Sequence, residues 1–335
     1  MSLYVSMYAN AMHCVGFCLL SQTFPQGCSR DFAFGLGRDD DMVAVLSPPQ
    51  KMGPVHMKWL GWVWVKVRTS ALISYHFLGL SMDGTTMPYA YFLTMSSSQC
   101  FQNPPNLNTG IHGTGTVQEL GGLNSYVTGS PDSKLALILV SDVFGYEAPK
   151  LRKLADKVAA SGFLVVVPDL LYGDYADLHN PQFDRDSWGK AHGKDKACED
   201  TKPLIAALKS KGVKSIGAAG FCWGGVVVVK LAISSDIQAA VILHPGSISD
   251  DDIKEVKIPV AILGAEIDHI FPPERLKQIE EILSSKSECE SFVKLFSGVK
   301  HGWTVRYDDD DDEGTIKSAK EAHQDMLSWF IKHVK

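Results

Sequence analysis

Gly220-Phe-Cys-Trp-Gly-Gly225 follows the apolar run Ser215–Phe221 and precedes Val226-Val-Val-Val. The spacing G-x-C-x-G matches the G-x-S-x-G turn that carries a strand sharply into a helix and presents the central side chain for attack, with cysteine in place of serine. Glycines are needed because larger residues would collide with the strand and the helix. The helix beginning beneath Cys222 favours a thiolate through its dipole and its free N–H groups. A buried cysteine in glycine-rich packing is the bland alternative, and the strand–turn–helix setting favours the nucleophile.

A cysteine nucleophile needs a base and an acid that orients the base. In this kind of turn they follow in the chain order nucleophile, acid, histidine. His301, in Val299-Lys-His-Gly-Trp303, follows the last apolar strand and lies on a loop beside glycine. His244 ends a strand and reads as a structural histidine, while His269 directly follows the acid candidate. That acid is Asp268, in Gly264-Ala-Glu-Ile-Asp-His-Ile-Phe-Pro-Pro273, with Glu266 as its rival. The acid must hold the imidazole tautomer and stabilise the imidazolium, which places it on a loop beside His301. The developing oxyanion would be held by the backbone N–H of Trp223 and by Val143 in the loop Ser141-Asp-Val-Phe-Gly145.

The elements that must position these groups alternate from about residue 113 onward. Thr116–Leu120 and Leu123–Val127 flank Gly121-Gly122 and predict a hairpin. Leu135–Val140, Phe163–Val167, Ser215–Phe221, Ala239–Leu243, Val260–Leu263 and Ser291–Leu295 predict strands. Tyr146–Ala160, Cys198–Ser210, Val226–Ile233, Pro273–Leu283 and Thr315–Lys335 predict helices, Pro149 being tolerated in a first turn. Unbroken apolar strands alternating with helices indicate an α/β fold, with a mostly parallel central sheet and helices on both faces. Active sites in such sheets sit on loops at the carboxyl ends of strands.

Across 335 residues, 45% are hydrophobic and 21% charged, with a net charge of −6. These values exclude a disordered or collagen-like chain. The acidic balance argues against a nucleic-acid partner, which needs a basic patch. Seven cysteines form neither a disulfide scaffold nor a paired zinc spacing, and they fit a reduced, cytoplasmic setting. No metal or cofactor is expected.

Residues 1–94 differ from the rest, with six basic side chains against five aspartates and no charge before Arg30. They show no sustained apolar period. Nothing basic precedes Leu3–Leu20, so a secretory signal lacks its first part. Ser6, Asn10 and His13 interrupt a stretch barely long enough to span a membrane. With Met95-Ser-Ser-Ser-Gln reading as a natural translation start, 1–94 is expected to be a poorly ordered extension or a mispredicted start, and 95–335 the catalytic domain. Asp308–Asp312 and Glu313 read as a solvated loop capping the last helix rather than a cation site.

Four segments together resemble the dienelactone hydrolase family of α/β-hydrolases: Asp142-Val-Phe-Gly145, Gly220-Phe-Cys-Trp-Gly224, Gly264–Pro272 and His301-Gly-Trp303. They are close to plant members labelled endo-1,3;1,4-β-D-glucanase, and the resemblance covers 95–335. It implies the α/β-hydrolase fold, Cys222 as nucleophile, Asp268 as acid, His301 as base, and Val143 and Trp223 as oxyanion donors. The bacterial type carries a glutamate where Asp142 stands and pairs it with the resting cysteine. Arg306 resembles a substrate-carboxylate arginine, against a surface residue neutralising the acid run. Tyr172, in Pro168-Asp-Leu-Leu-Tyr172, stands in the loop that supplies the bacterial type's second arginine, and is expected either to contact substrate or to pack in its loop. The implied activity is cysteine-dependent hydrolysis of small esters or lactones by a monomer or homodimer, with neither nucleic acid nor membrane as partner. Two alternatives stay open: a β-glucan glycosidase and a non-catalytic pseudo-hydrolase.

Overall fold

Leu135–Val140 (β3) shows why the central strands are apolar without alternation. Ala136, Ile138 and Val140 enter one hydrophobic cluster, while Leu137 and Leu139 enter another on the opposite face of the sheet. Both faces are covered, so neither period-2 position can be polar.

The computed structural model describes residues 98–105, 113–178, 180–307 and 311–335, together with four upstream strands. The chain divides into two units, Met1–Tyr91 and Phe92–Lys335. In the first, Ala33–Leu36 pairs antiparallel with Met42–Val45, and Trp62–Thr69 with Leu72–Gly79. The rest of 1–94, and Met95 itself, lie outside the described residues.

The second unit holds an eight-stranded sheet. Its other strands are β1 (Thr116–Leu120), β2 (Leu123–Thr128), β4 (Leu164–Pro168), β5 (Ser215–Phe221), β6 (Ala239–Leu243), β7 (Val260–Ile267) and β8 (Ser291–Lys300). Their spatial order is β8-β7-β6-β5-β3-β4-β2-β1. From β3 to β8 every pairing is parallel; β2 runs antiparallel to both β4 and β1. Gly121 and Gly122 take φ of +59° and +83°, the double left-handed turn of a two-residue hairpin.

The helices are α1 (Pro149–Ala159), α2 (Arg185–Ala191), α3 (Lys194–Ser210), α4 (Trp223–Ser234), α5 (Asp250–Glu255), α6 (Pro273–Ser284) and α7 (Glu313–His333). One cluster lies under α3 to α6, and the other under α1 and α7. Helix α4 is buried at nine of its 12 positions, as its valine run requires. The sequence placed the start of α1 at Tyr146; it begins at Pro149, because Ala148 before the proline is held extended at ψ 120°. Two short helices escaped the sequence, α2 and α5, each nucleated by a side-chain cap from Asp184 and Ser249. Asp312 caps α7 by accepting from Thr315 N at 2.9 Å, while Asp308–Asp310 lie outside the described residues. Among the described residues no helix is long and apolar enough to cross a membrane.

Candidate active site

At the end of β5 the chain turns within a single residue. Cys222 stands between β5 and α4 with φ +51° and ψ −111°, a conformation that costs a non-glycine residue about 1–3 kcal/mol. Three hydrogen bonds hold it there: its N–H donates to Leu243 O at 3.1 Å, and its carbonyl accepts from Gly225 N at 3.1 Å and Gly246 N at 2.9 Å. Both motif glycines face backbone. A Cβ on Gly220 would lie 2.2 Å from Gly224 O, and one on Gly224 would lie 2.3 Å from Val140 O and 2.4 Å from Ser141 O. The turn can form only because neither carries a side chain.

Strand β7 delivers Asp268 one residue past its end, and the loop after β8 delivers His301. Asp268 Oδ2 accepts from His301 Nδ1 at 2.7 Å, and both side chains are fully buried. Oδ1 accepts from Ile270 N at 2.8 Å and Phe271 N at 3.0 Å, so the carboxylate cannot rotate away. The rivals fall elsewhere. Glu266 is exposed and accepts from Gly298 N at 2.7 Å, and His269 is exposed. His244 is buried, meets Thr304 Oγ1 through Nε2 at 2.7 Å, and packs edge-on to the His301 ring with ring centroids 5.2 Å apart. Burial, then the neighbouring His301 and Arg306 charges, hold His244 well below its ordinary pKa, so it stays neutral.

A ring nitrogen of His301 and the Cys222 sulfur lie within 4.8 Å of one another. His301 Nε2 is buried without a hydrogen-bond partner. Burial opposes ionisation of Cys222, but hydrogen bonding with Cys100 and the charges of His301 and Arg306 outweigh it and bring the thiol well below its usual value. Burial likewise opposes the His301 cation; the facing Cys222 charge and the Asp268 hydrogen bond overcome it and raise the imidazole to about 9. Thiolate and imidazolium therefore stabilise each other in the resting site.

Arg306 is not a surface residue. Its Nε donates to Asp142 Oδ2 at 2.6 Å, its Nη1 donates to Gln102 O at 3.3 Å, and its guanidinium lies 4.9 Å from the centre of the Phe144 ring. Asp142 Oδ1 accepts from Phe144 N at 2.9 Å. Asp142 is thus committed to Arg306 instead of facing the resting cysteine.

Tyr172 lies apart from these groups. It is 57% exposed, donates its hydroxyl to Asp200 Oδ2 at 2.8 Å, and lines a surface cleft of about 550 Å³ with Tyr146 and Asp169. Val143 and Trp223 are both buried, and Gly224 meets the Val140 and Ser141 carbonyls. Trp223 opens α4, so its N–H belongs to the first-turn amides without an intrahelical partner.

The residue that sequence reasoning missed is Cys100. It lies 122 positions before Cys222, in a short helical turn, Ser98–Phe101, with its sulfur 3.5 Å from the Cys222 sulfur. Its hydrogen bond to Cys222, and burial after it, raise its pKa well above the ordinary value, so Cys100 is the donor and Cys222 the charged acceptor. No local motif marks it.

The chain is similar to known proteins in sequence and in fold. The dienelactone hydrolase family profile matches residues 123–334, more than half of the chain. A maize protein named endo-1,3;1,4-beta-D-glucanase is 46% identical over 198 residues, 57% of this chain and 63% of its own length. The chain therefore spans less than two thirds of that relative. A mouse carboxymethylenebutenolidase homolog is 31% identical over 229 residues, 66% of this chain and 92% of its own. The solved dienelactone hydrolase from Anabaena variabilis superposes with a TM-score of 0.50 at 12% identity, covering 66% of this chain and 97% of that one, and shares the fold. With the elbow, the Asp268 loop and His301 all inside the matched span, the chain belongs to the dienelactone hydrolase family.

Proposed function

We propose that this family member hydrolyses small carboxylic esters or lactones through an acyl-enzyme on Cys222. The observation that supports the reading is one buried row: Asp268 bonded at 2.7 Å to His301, with a His301 ring nitrogen within 4.8 Å of a strained elbow cysteine. The Cys222 thiolate attacks the carbonyl carbon, and the displaced electron pair moves to oxygen, where the Val143 and Trp223 N–H groups stabilise it. Collapse expels the alkoxide or enolate, which takes its proton from His301 Nε2. His301, now neutral, removes a proton from water as the water attacks the thioester. The carboxylic acid leaves, and Cys222 and His301 return to the charged pair. In a lactone the leaving oxygen stays tethered, so one ring opens by net addition of water.

A glycosidase reading is raised by the name of the maize relative. That chemistry canonically takes two carboxylates flanking one sugar bond. The two buried carboxylates at this site are each spent on a cation, Asp142 on Arg306 and Asp268 on His301, which favours the ester reading. Cys100, Cys198, Cys222 and Cys289 are all free and buried, in keeping with a reducing, cytoplasmic location. Residues 95–335 form the catalytic part in this reading.

The test is hydrolysis of p-nitrophenyl esters and enol-lactones by the full chain and its Cys222→Ala variant. The variant is expected to lose at least about 10³-fold in kcat/KM with unchanged circular dichroism. Unchanged hydrolysis by Cys222→Ala would overturn the mechanism.

A further inference from the structure

Cys100 is held in the site by contacts that have no part in acyl transfer. Gln99 is buried and clamps the loop behind Asp268 from both ends of its amide: Nε2 donates to Ile267 O at 2.9 Å, and Oε1 accepts from His269 N at 2.6 Å. Gln102 O accepts from Arg306 on the other side. Between these two anchors the Cys100 thiol points into the site and meets Cys222 Sγ at 3.5 Å. Both sulfurs and a His301 ring nitrogen lie within 4.8 Å of one another, and all three residues are buried.

We propose that Cys100, Cys222 and His301 form a three-ligand site for a soft divalent cation of the zinc class, with a fourth position left for water. Two thiolates and an imidazole are the donor set that such ions prefer over oxygen-rich sites. The geometry suits tetrahedral coordination: two sulfurs each ~2.3 Å from one zinc lie about 3.8 Å apart, close to the separation seen here. The nitrogen is prepared as well. Nδ1 is anchored by Asp268 at 2.7 Å, leaving Nε2 buried and without a hydrogen-bond partner. A carboxylate on the far nitrogen of a ligating histidine is the usual outer support of zinc, fixing the ring and raising its basicity.

Coordination involves no electron transfer. The metal binds both sulfurs and Nε2, and the Cys100 thiol proton and any Nε2 proton pass to solvent. Two thiolates neutralise the dication, so a buried site gains no net charge. The same Cys222 sulfur and His301 nitrogen are needed for acyl transfer, so occupancy and turnover exclude each other. That exclusion, unlike the site itself, rests on the hydrolase reading.

The experiment uses the full chain without an affinity tag, kept reduced. Co²⁺ is titrated in the near ultraviolet, where thiolate ligation gives a charge-transfer band, and Zn²⁺ affinity is read by competition with a chromophoric chelator. One equivalent of Co²⁺ is expected to produce the band. Cys100→Ser is expected to halve it and to weaken Zn²⁺ binding by at least about 100-fold, since even outer-support losses cost 10–100-fold. Cys222→Ser should do the same. Absence of the band, or a Zn²⁺ affinity unchanged in Cys100→Ser and Cys222→Ser, would overturn the site. Ester hydrolysis that falls with zinc occupancy and returns on chelation supports the exclusion. Zinc binding in a chain whose metal-free form hydrolyses nothing would keep the site and sink the hydrolase reading; hydrolysis without the band would do the reverse.

Discussion

Arg306 Nε donates to Asp142 Oδ2 at 2.6 Å between side chains only 2% and 3% exposed and 164 positions apart in the chain. The pair ties the loop after β3 to the loop after β8, the two segments that flank the elbow. It also sets a sign. A carboxylate facing the sulfur would disfavour the Cys222 thiolate, whereas the Arg306 cation helps lower the Cys222 pKa. Asp142 contributes by holding that cation in place.

Asp142→Ala leaves the Arg306 charge buried and unpaired. Breaking one side of a buried ion pair costs about 3–5 kcal/mol, so denaturant unfolding should show a loss of that order. Arg306→Met added to Asp142→Ala removes the orphaned charge and should recover much of the loss. A double variant no more stable than the single would count against the pair as the cause.

The charged Cys222–His301 pair predicts different pH profiles for two reactions of the same sulfur. Cys222 is depressed, so its thiolate form persists well below the ordinary thiol value of about 8.5 and is lost only as pH falls through the lowered value. Alkylation by iodoacetamide should therefore stay nearly flat from neutral pH upward instead of rising tenfold per unit, as an ordinary thiol does. His301 is raised, so it stays protonated until pH passes about 9. Above that point it cannot protonate the leaving group, and ester hydrolysis should decline while alkylation continues. Parallel decline of both rates would refute the assignment of the upper limb to His301.

Gly224→Ala places a Cβ 2.3 Å from Val140 O and 2.4 Å from Ser141 O. Both obstacles are backbone carbonyls of β3 and its following loop, so no rotamer change relieves them. A loss of about 3 kcal/mol or more is expected, with reduced soluble yield and a lower Tm. A variant of wild-type Tm would mean that the elbow tolerates rearrangement.

The parts of the site that could be read from the chain are those whose geometry is local. Gly220 and Gly224 bracket Cys222 because the turn itself demands glycine, and that demand is visible as a spacing. Asp268 and His301 could be read as candidates because each lies just beyond an apolar strand, β7 or β8. What depends on distant packing left no such trace. Cys100 sits in no pattern, and its approach to Cys222 is decided by Gln99 docking on a loop about 170 positions away. Arg306 could be read equally well as a surface countercharge, because nothing near it in sequence announces Asp142. Tyr172 reads two ways, as a substrate contact or as a side chain packed in its loop, because nothing near it in sequence announces Asp200, to which its hydroxyl donates. Among the helices, α4 was placed by its valine run, while α2 and α5 are too short to show a period.

The docking of Gln99 on the Asp268 loop gives the residues ahead of β1 a chemical weight out of proportion to their number. Any cleavage or alternative initiation that removed Gln99 and Cys100 would take away the proton donor to the Cys222 thiolate and the brace behind its acid together. Two forms of this protein differing by only a few residues at that boundary would share one fold, yet present a Cys222 sulfur in two different electrostatic settings.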